Sequence, residues 1–421
     1  MWAKVKGGGA NAVLSVGGVA PSVLDCTLIG LMSSIRIRSL VAAGAVIVLM
    51  SACASVPKQI YTQEEIVSQM EARVSAEMRD QIVIPFEIDD EIRQLADDIT
   101  RGMTNDRQKV SAIVNAIIGL TDFSISYDWL SNKTAREVFR QGRGNCLAYS
   151  NLFVGMARHV GLEAVYVDVV SIEEQTREAD VIVNNGHITA GIKRGADVLV
   201  IDFTRTPERQ YIGFEVIDDL EAIANFYNNQ GFLYGYFTEN EGLDFDPMVK
   251  EMEMYRLALE VVPTFQRARN NLGVGLRRRG KVQEAIEQYN MAIEAEPKFA
   301  DAHANLGAAY FGLGRFDDAV RELEIASSQA GSNAYFHHHL GVVYYRLEKY
   351  DDAIKEFRSA LSRESGMASA RFYLGESYLK LGDRRKAREE YVAALELDPN
   401  HVSARAKLSL LATEDADQNL N

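Results

Sequence analysis

A Leu-Gly pair recurs at Leu272-Gly273, Leu306-Gly307, Leu340-Gly341 and Leu374-Gly375, a period of 34 residues without a slip. Three further series keep step with it. Ala285, Ala319, Ala353 and Ala387 form one, Tyr289, Leu323, Phe357 and Tyr391 the second, and Ala292, Ala326, Ala360 and Ala394 the third. A fixed period of this length confines the chain to a stacked array, because each unit hides its apolar face only against its neighbours. Within a unit the Gly and Ala positions let two helices approach closely, while the aromatics fill the space between neighbours. Pro297 and Pro399 close the first and last units.

This pattern resembles the tetratricopeptide repeat. Four units are expected over 266–401, with "HVSARAKLSLLA" as a closing helix in 402–421. A degenerate fifth unit precedes them over 224–265. Gly231 takes the place of Gly273, and Tyr234, Tyr255, Ala258 and Pro263 take the matching roles. Gly231 lies 42 residues before Gly273, one period plus an eight-residue insertion around "ENEGLDFD". The resemblance implies a concave groove for a protein or peptide partner. The histidines of "FHHH", His337 to His339, follow one another on a helix and point in different directions, so they cannot converge on a metal. A solvated or interdomain face is expected for them.

The first half has a different grain. A linker and a first helix are expected over 53–85, then a mixed α+β domain over 86–223. Apolar residues at three- and four-residue spacing predict helices in "EEIVSQMEARVSAEM", "DDEIRQLADDIT" and "DRQKVSAIVNAIIGL". Gly142 and Gly144 precede a helix over 146–160 with Leu147, Leu152, Met156 and Val160 as its core stripe. Cys146 therefore falls on the first turn, where the helix dipole and unpaired amides favour a thiolate. Strands are expected at 163–170, 187–192 and 197–203. A hairpin turning between Arg194 and Gly195 gives partners whose numbers sum to 389, which sets His187 opposite Asp202 with Cβ atoms about 5 Å apart. An aspartate inside an apolar strand needs such a partner. A thiol at a helix start with a His–Asp pair on adjacent strands has the logic of nucleophile, base and orienter. His159 lies more than three turns along the helix and reads as surface or structural.

"GRGNCLAYSNLFVGMARHVGLEAVYVDV", "GHITAGI" and "VLVIDFT" together resemble the transglutaminase-like superfamily, over about 88–215. The resemblance implies a papain-like core with Cys146 as nucleophile, His187 as general base and acid, and Asp202 as orienter. Ile188 and Thr189 follow the histidine where many members carry an aromatic. The implied reaction is thiol attack on an amide or peptide carbonyl through a thioester, with hydrolysis favoured over transfer in a cell envelope. The chain has no phosphate loop, no C-x-x-C pair and no H-E-x-x-H, so neither cofactor nor metal is expected. Another reading is a catalytically inactive, lipid-anchored scaffold working through protein contacts; a third makes Cys146 a redox-sensing thiol.

The front end reads as a leader. From Met32, "MSSIRIRSLVAAGAVIVLMSAC" has a basic start with Arg36 and Arg38, an apolar run and small residues up to Cys53. Residues 32–52 are expected to be a lipoprotein signal, with Cys53 acylated as in a bacterial lipobox and 1–31 an over-extension of the start. Removing 1–52 leaves 41 basic and 58 acidic residues, a formal charge of −17. That excludes a nucleic-acid partner, which needs clustered cations, so membrane attachment rests on the lipid. Cys26 would be lost and Cys53 acylated, leaving Cys146 as the lone thiol in an oxidising compartment with no partner for a disulfide. With Ala54 and Ser55 after the lipidated cysteine, the expected location is the outer membrane, facing the periplasm.

Overall fold

The computed structural model describes residues 36–42, 45–51, 60–119, 128, 130–171, 176–178, 181–183, 187–195, 197–203, 211–236, 245–330 and 333–420. Cys53, residues 1–31 and most of the "ENEGLDFD" insertion lie outside them.

The strands β1 (Arg36–Ala42) and β2 (Ala45–Ser51) form a hairpin. Three helices follow: α1 (Gln63–Arg73), α2 (Asp90–Thr100) and α3 (Asp106–Gly119). The expected first helix stops at Arg73, and "SAEM" lies beyond it in a turn leading to a short 3-10 stretch, Arg79–Gln81. Thr62 and Glu65 hold the start of α1 in a reciprocal capping box. After α4 (Ala135–Gln141) comes α5 (Cys146–His159), then β3 (Ala164–Ser171), the small ribbon β4 (Thr176–Glu178) and β5 (Val181–Val183), β6 (Ile188–Arg194), β7 (Asp197–Asp202) and β8 (Tyr211–Ile217).

Six strands make one antiparallel sheet in the order β1-β2-β7-β6-β3-β8. Alternation along the strands divides its two faces. Tyr166, Ile188, Ala190, Ile192, Leu199 and Ile201 join the main core under α5, whose buried residues run from Cys146 to Ala157 on every side. Val165, Val167, Val169, Val198 and Val200 form a smaller cluster on the opposite face. The apolar segment expected as a leader lies, in this full chain, on the edge of β7, with β2 antiparallel to it from Met50↔Val198 to Val46↔Asp202. Its β-branched composition suits a strand, and the pairing covers an otherwise open edge.

The β6–β7 hairpin corrects one expectation. Its partners run from Ala190↔Ile201 to Arg194↔Asp197 and sum to 391, two more than the sequence reading. The turn is centred one residue later, and Gly195 takes φ +62°, a conformation that favours glycine. Continued one step, this register faces Asp202 with Thr189, not His187. A slip of two preserves the face on which each side chain lies, whereas a slip of one would have reversed it. His187 and Asp202 therefore remain on the same side, as diagonal neighbours.

From α6 (Asp219–Tyr236) and α7 (Pro247–Val261) onward the chain is helical. Four helix pairs follow: α8 (Gln266–Arg278) with α9 (Val282–Ala295), α10 (Ala300–Gly312) with α11 (Phe316–Gln329), α12 (Ala334–Arg346) with α13 (Tyr350–Arg363), and α14 (Ala368–Lys380) with α15 (Arg384–Leu397). The helix α16 (Val402–Leu420) closes the array, with Leu411 in the last apolar cluster and Lys407 paired with the buried Glu376. In each pair the periodic glycine meets the large residue of the partner helix. A Cβ on Gly273, Gly307, Gly341 or Gly375 would lie 2.6–2.7 Å from Tyr289, Leu323, Phe357 or Tyr391. Gly231 faces Tyr255 at 2.7 Å in the same way, so α6 and α7 pack as the degenerate unit despite their long connection.

The two halves share a core. Leu220, Ile223, Phe226 and Tyr227 at the start of α6 belong to the cluster around α5, while Phe232 and Leu233 later in the same helix belong to the first repeats. Polar contacts cross the junction as well. The Val83 amide donates to the Tyr227 hydroxyl at 2.7 Å, the Asn132 side chain donates to the Phe226 carbonyl at 2.9 Å, and Arg267 of α8 pairs with Asp168 of β3 at 2.5 Å.

Candidate active site

Cys146 is placed by the turn between α4 and α5. Thr134 and Glu137 cap α4 reciprocally, and Gly142 ends it at φ +62°. Gly144 passes so close to α5 that a Cβ there would lie 2.8 Å from Ala148. The Asn145 amide donates to the Ser131 carbonyl at 2.9 Å, and the Asn145 side chain accepts from the Ala148 amide at 2.9 Å. Asn145 is thus the N-cap, and Cys146 occupies the first helical position, where amides lack intrahelical acceptors. The helix is held against the sheet end by Tyr149, stacked on Phe203 with ring centroids 5.8 Å apart, and by the Tyr166 hydroxyl donating to Asn151 at 2.8 Å.

His187 stands immediately before β6, its carbonyl accepting from the Val169 amide at 2.9 Å. Its Nε2 lies 3.3 Å from Asp202 Oδ2. Cys146, His187 and Asp202 are 7%, 2% and 1% exposed, so water competes weakly for their hydrogen bonds. Burial alone would lower the His187 pKa. The charge available at the Cys146 sulfur, hydrogen bonds to Asp202 and to Cys146, and the charge of Asp202 outweigh it and hold the imidazole well above the ordinary histidine value. The Asp202 carboxylate on Nε2 holds the imidazole ring in place beside the sulfur. The three residues singled out in the sequence are therefore together in one buried cluster.

His159 is elsewhere, 3.1 Å from Asp97 on the outer side of α5. The histidines of α12 do not form the solvated face expected. His337 meets Glu356 at 2.7 Å, whereas His338 is buried beside Phe357 and Tyr373 and lines the concave surface with His339. The reason is packing: this side of α12 faces α13 and α14 and the groove rather than open solvent. Sequence reading passed over Asn145, although an asparagine directly before a helical run is a capping signal. It also passed over the Asp168–Arg267 pair. Asp168 pairs across the sheet with Ile188, the residue after His187, so this link ties the repeats to the strand end that carries the histidine. No local pattern announces it.

A family model described as the transglutaminase-like superfamily matches residues 93–198, a span that contains Cys146 and His187 and stops before Asp202. Models of the tetratricopeptide repeat match residues 276–314, 304–373, 338–400 and 372–415. None of the curated proteins compared matches the chain. Among solved structures, the chain is similar to YrrB, titled a TPR protein with an unusual peptide-binding site, at 21% identity, with 44% of this chain and 90% of that one covered and a TM-score of 0.36. A structure of MamA is 24% identical over 37% of this chain and 91% of that one, with a TM-score of 0.35. MamA from Desulfovibrio magneticus RS-1 is 17% identical over 41% and 97%, with a TM-score of 0.35. The chain carries a transglutaminase-like domain, residues 93–198, followed by tetratricopeptide repeats over residues 276–415.

Proposed function

We propose that this protein is a cysteine-dependent enzyme acting on amide or peptide bonds, with Cys146 as nucleophile, His187 as acid and base, and Asp202 as orienter. The observation that carries this reading is the buried His187, which hydrogen-bonds with both Asp202 and Cys146. The thiolate attacks the carbonyl carbon, and the C–N bond breaks as the amine leaves with the proton from His187. Water then attacks the thioester, gives one proton to His187, and the C–S bond breaks to release the acid and restore the thiolate. Hydrolysis is favoured over transfer because water outnumbers any amine in the cell envelope. The repeats hold a protein partner or a polypeptide substrate.

We further propose that 32–52 is removed, that Cys53 is acylated, and that the mature protein is anchored in the outer membrane facing the periplasm. Removal would take β1 and β2 away and leave β7, the strand of Asp202, at the sheet edge. Globomycin-sensitive processing and incorporation of labelled palmitate that disappears in Cys53→Ala would support this; a full-length product without label would sink it.

The enzymatic reading is tested by the pH dependence of Cys146 alkylation in the wild type, His187→Ala and Asp202→Asn. Rapid reaction below pH 8 that depends on His187 supports the thiolate–imidazolium pair. An ordinary thiol profile, unchanged by either substitution, would leave the repeats acting as a scaffold.

A further inference from the structure

The repeat pattern does not call for an arginine at position 267. Arg267 is the second residue of α8, and the period of 34 puts Asp301, Tyr335 and Ser369 at the same place in the later units. A cation in the first turn lies at the positive end of the helix dipole, so it costs α8 stability unless a carboxylate answers it. The answering group comes from outside the repeats. It is Asp168 of β3, 2.5 Å away, and both side chains are only 16% exposed. Arg267 also donates to the Asn225 side chain of α6 at 3.4 Å, and Glu221 and Glu296 lie near enough to attract it.

Asp168 is just as foreign to its own surroundings, a charge within the apolar strand "AVYVDVVS". It stands across from Ile188 on one side and from Glu215 on the other. Opposed carboxylates on neighbouring strands repel, and the Arg267 guanidinium offsets that repulsion at the end of β3. The next residue, Val169, donates its amide to the His187 carbonyl at 2.9 Å. The chain on the other side of the histidine meets the same helix. Strand β5 ends at Val183, four residues before His187, and lies against α8 and α10. Helix α8 therefore holds both flanks of the segment that carries the histidine, one through β5 and the other through Asp168.

We propose that Arg267 is a positioning residue of the active site. By holding Asp168 it fixes the strand end that fixes the His187 backbone. The first repeat is then part of the catalytic unit, and a displacement of α8 is transmitted to the imidazole. This deepens the reading of Cys146 and His187 as nucleophile and base, and rests on it.

The test follows iodoacetamide alkylation of the full chain against pH, read on the Cys146 peptide by mass spectrometry. Arg267→Ala and Asp168→Asn should each move the profile about half a pH unit toward alkali and slow the reaction near pH 6 about threefold. The double variant should go no further, because the two residues act as one link. Arg267→Lys keeps the charge but not the planar fork that reaches both Asp168 and Asn225, and should fall between the wild type and Arg267→Ala. Tyr227→Phe removes hydrogen bonds across the same junction without involving Asp168, and should keep the wild-type profile even where it lowers the urea midpoint. A shift in Tyr227→Phe equal to that in Arg267→Ala, or additive shifts in the double variant, would overturn the proposal. A reactive wild type whose profile survives Arg267→Ala and Asp168→Asn would overturn it alone, whereas an ordinary thiol profile in the wild type would overturn the catalytic reading with it.

Discussion

The repeats and the cluster of Cys146, His187 and Asp202 are built by opposite means. Gly341 and Phe357 belong to one helix pair, and their contact recurs at the same spacing in the units on either side. Cys146, His187 and Asp202 come from a helix start and two strand ends, and His187 joins the other two. The first arrangement is redundant and local, so damage to it stays near its origin. The second is unique and non-local, so any element that misplaces one member breaks up the whole cluster. The shared core along α6 and the Asp168–Arg267 pair connect these two styles of construction.

The largest stability effect should come from the local side. Phe357→Ala removes a fully buried ring and should cost about 3–5 kcal/mol in urea unfolding. Hydrogen exchange should quicken in α12, α13 and α14, while alkylation of Cys146 is unchanged. Quickened exchange throughout the first half would break the contrast between local and non-local construction.

His187→Ala should do the reverse. The proposed thiolate–imidazolium pair would be lost, so alkylation near pH 6 should fall by at least about tenfold. The folded-state pKa of His187 is raised, so the stability it contributes through protonation is complete below the ordinary histidine value of 6.5 and is lost as pH rises through the folded value. The wild-type melting temperature should therefore decline on the alkaline side more than that of His187→Ala. Parallel profiles would count against a protonated His187.

Arg267→Ala tests the bridge. Losing the half-buried partner of Asp168 should cost about 2 kcal/mol and, unlike Phe357→Ala, should also slow Cys146 alkylation, because the strand next to His187 loses its tether. A change in stability alone would mean that the junction holds the halves together without aligning the site. The smallest effect is expected at Gly195→Ala, about 1 kcal/mol from forcing a side chain into φ +62°. Because the hairpin turn sets the register, its alkylation rate should fall slightly in step with stability.

Sequence carried the repeats almost whole. The 34-residue period marks both the glycines and the large residues that fill the gaps above them, and the degenerate unit was legible through Gly231 and Tyr255 despite its insertion. It also carried the identity of the buried cluster, since Cys146 follows a glycine-flanked helix start and His187 and Asp202 lie on one face of neighbouring strands. It misjudged the register that joins the last two by one pair of residues, because sequence alternation reports which face a residue occupies and not which residue stands across from it. The face survived that error because the slip was even. It also misjudged the α12 histidines, whose burial depends on how successive helices pack.

Composition and spacing by themselves determined what repeats, which helix carries the thiol, and which strand positions share a face, because each of these is a periodicity the chain repeats or a local signal at a helix end. Only the tertiary structure decided that Nε2 of His187 reaches Asp202 diagonally, that α6 belongs to both cores, and that Arg267 is bound to the strand beside the histidine. Those contacts join residues far apart in the chain, and their geometry follows from packing, which no short stretch of sequence encodes alone.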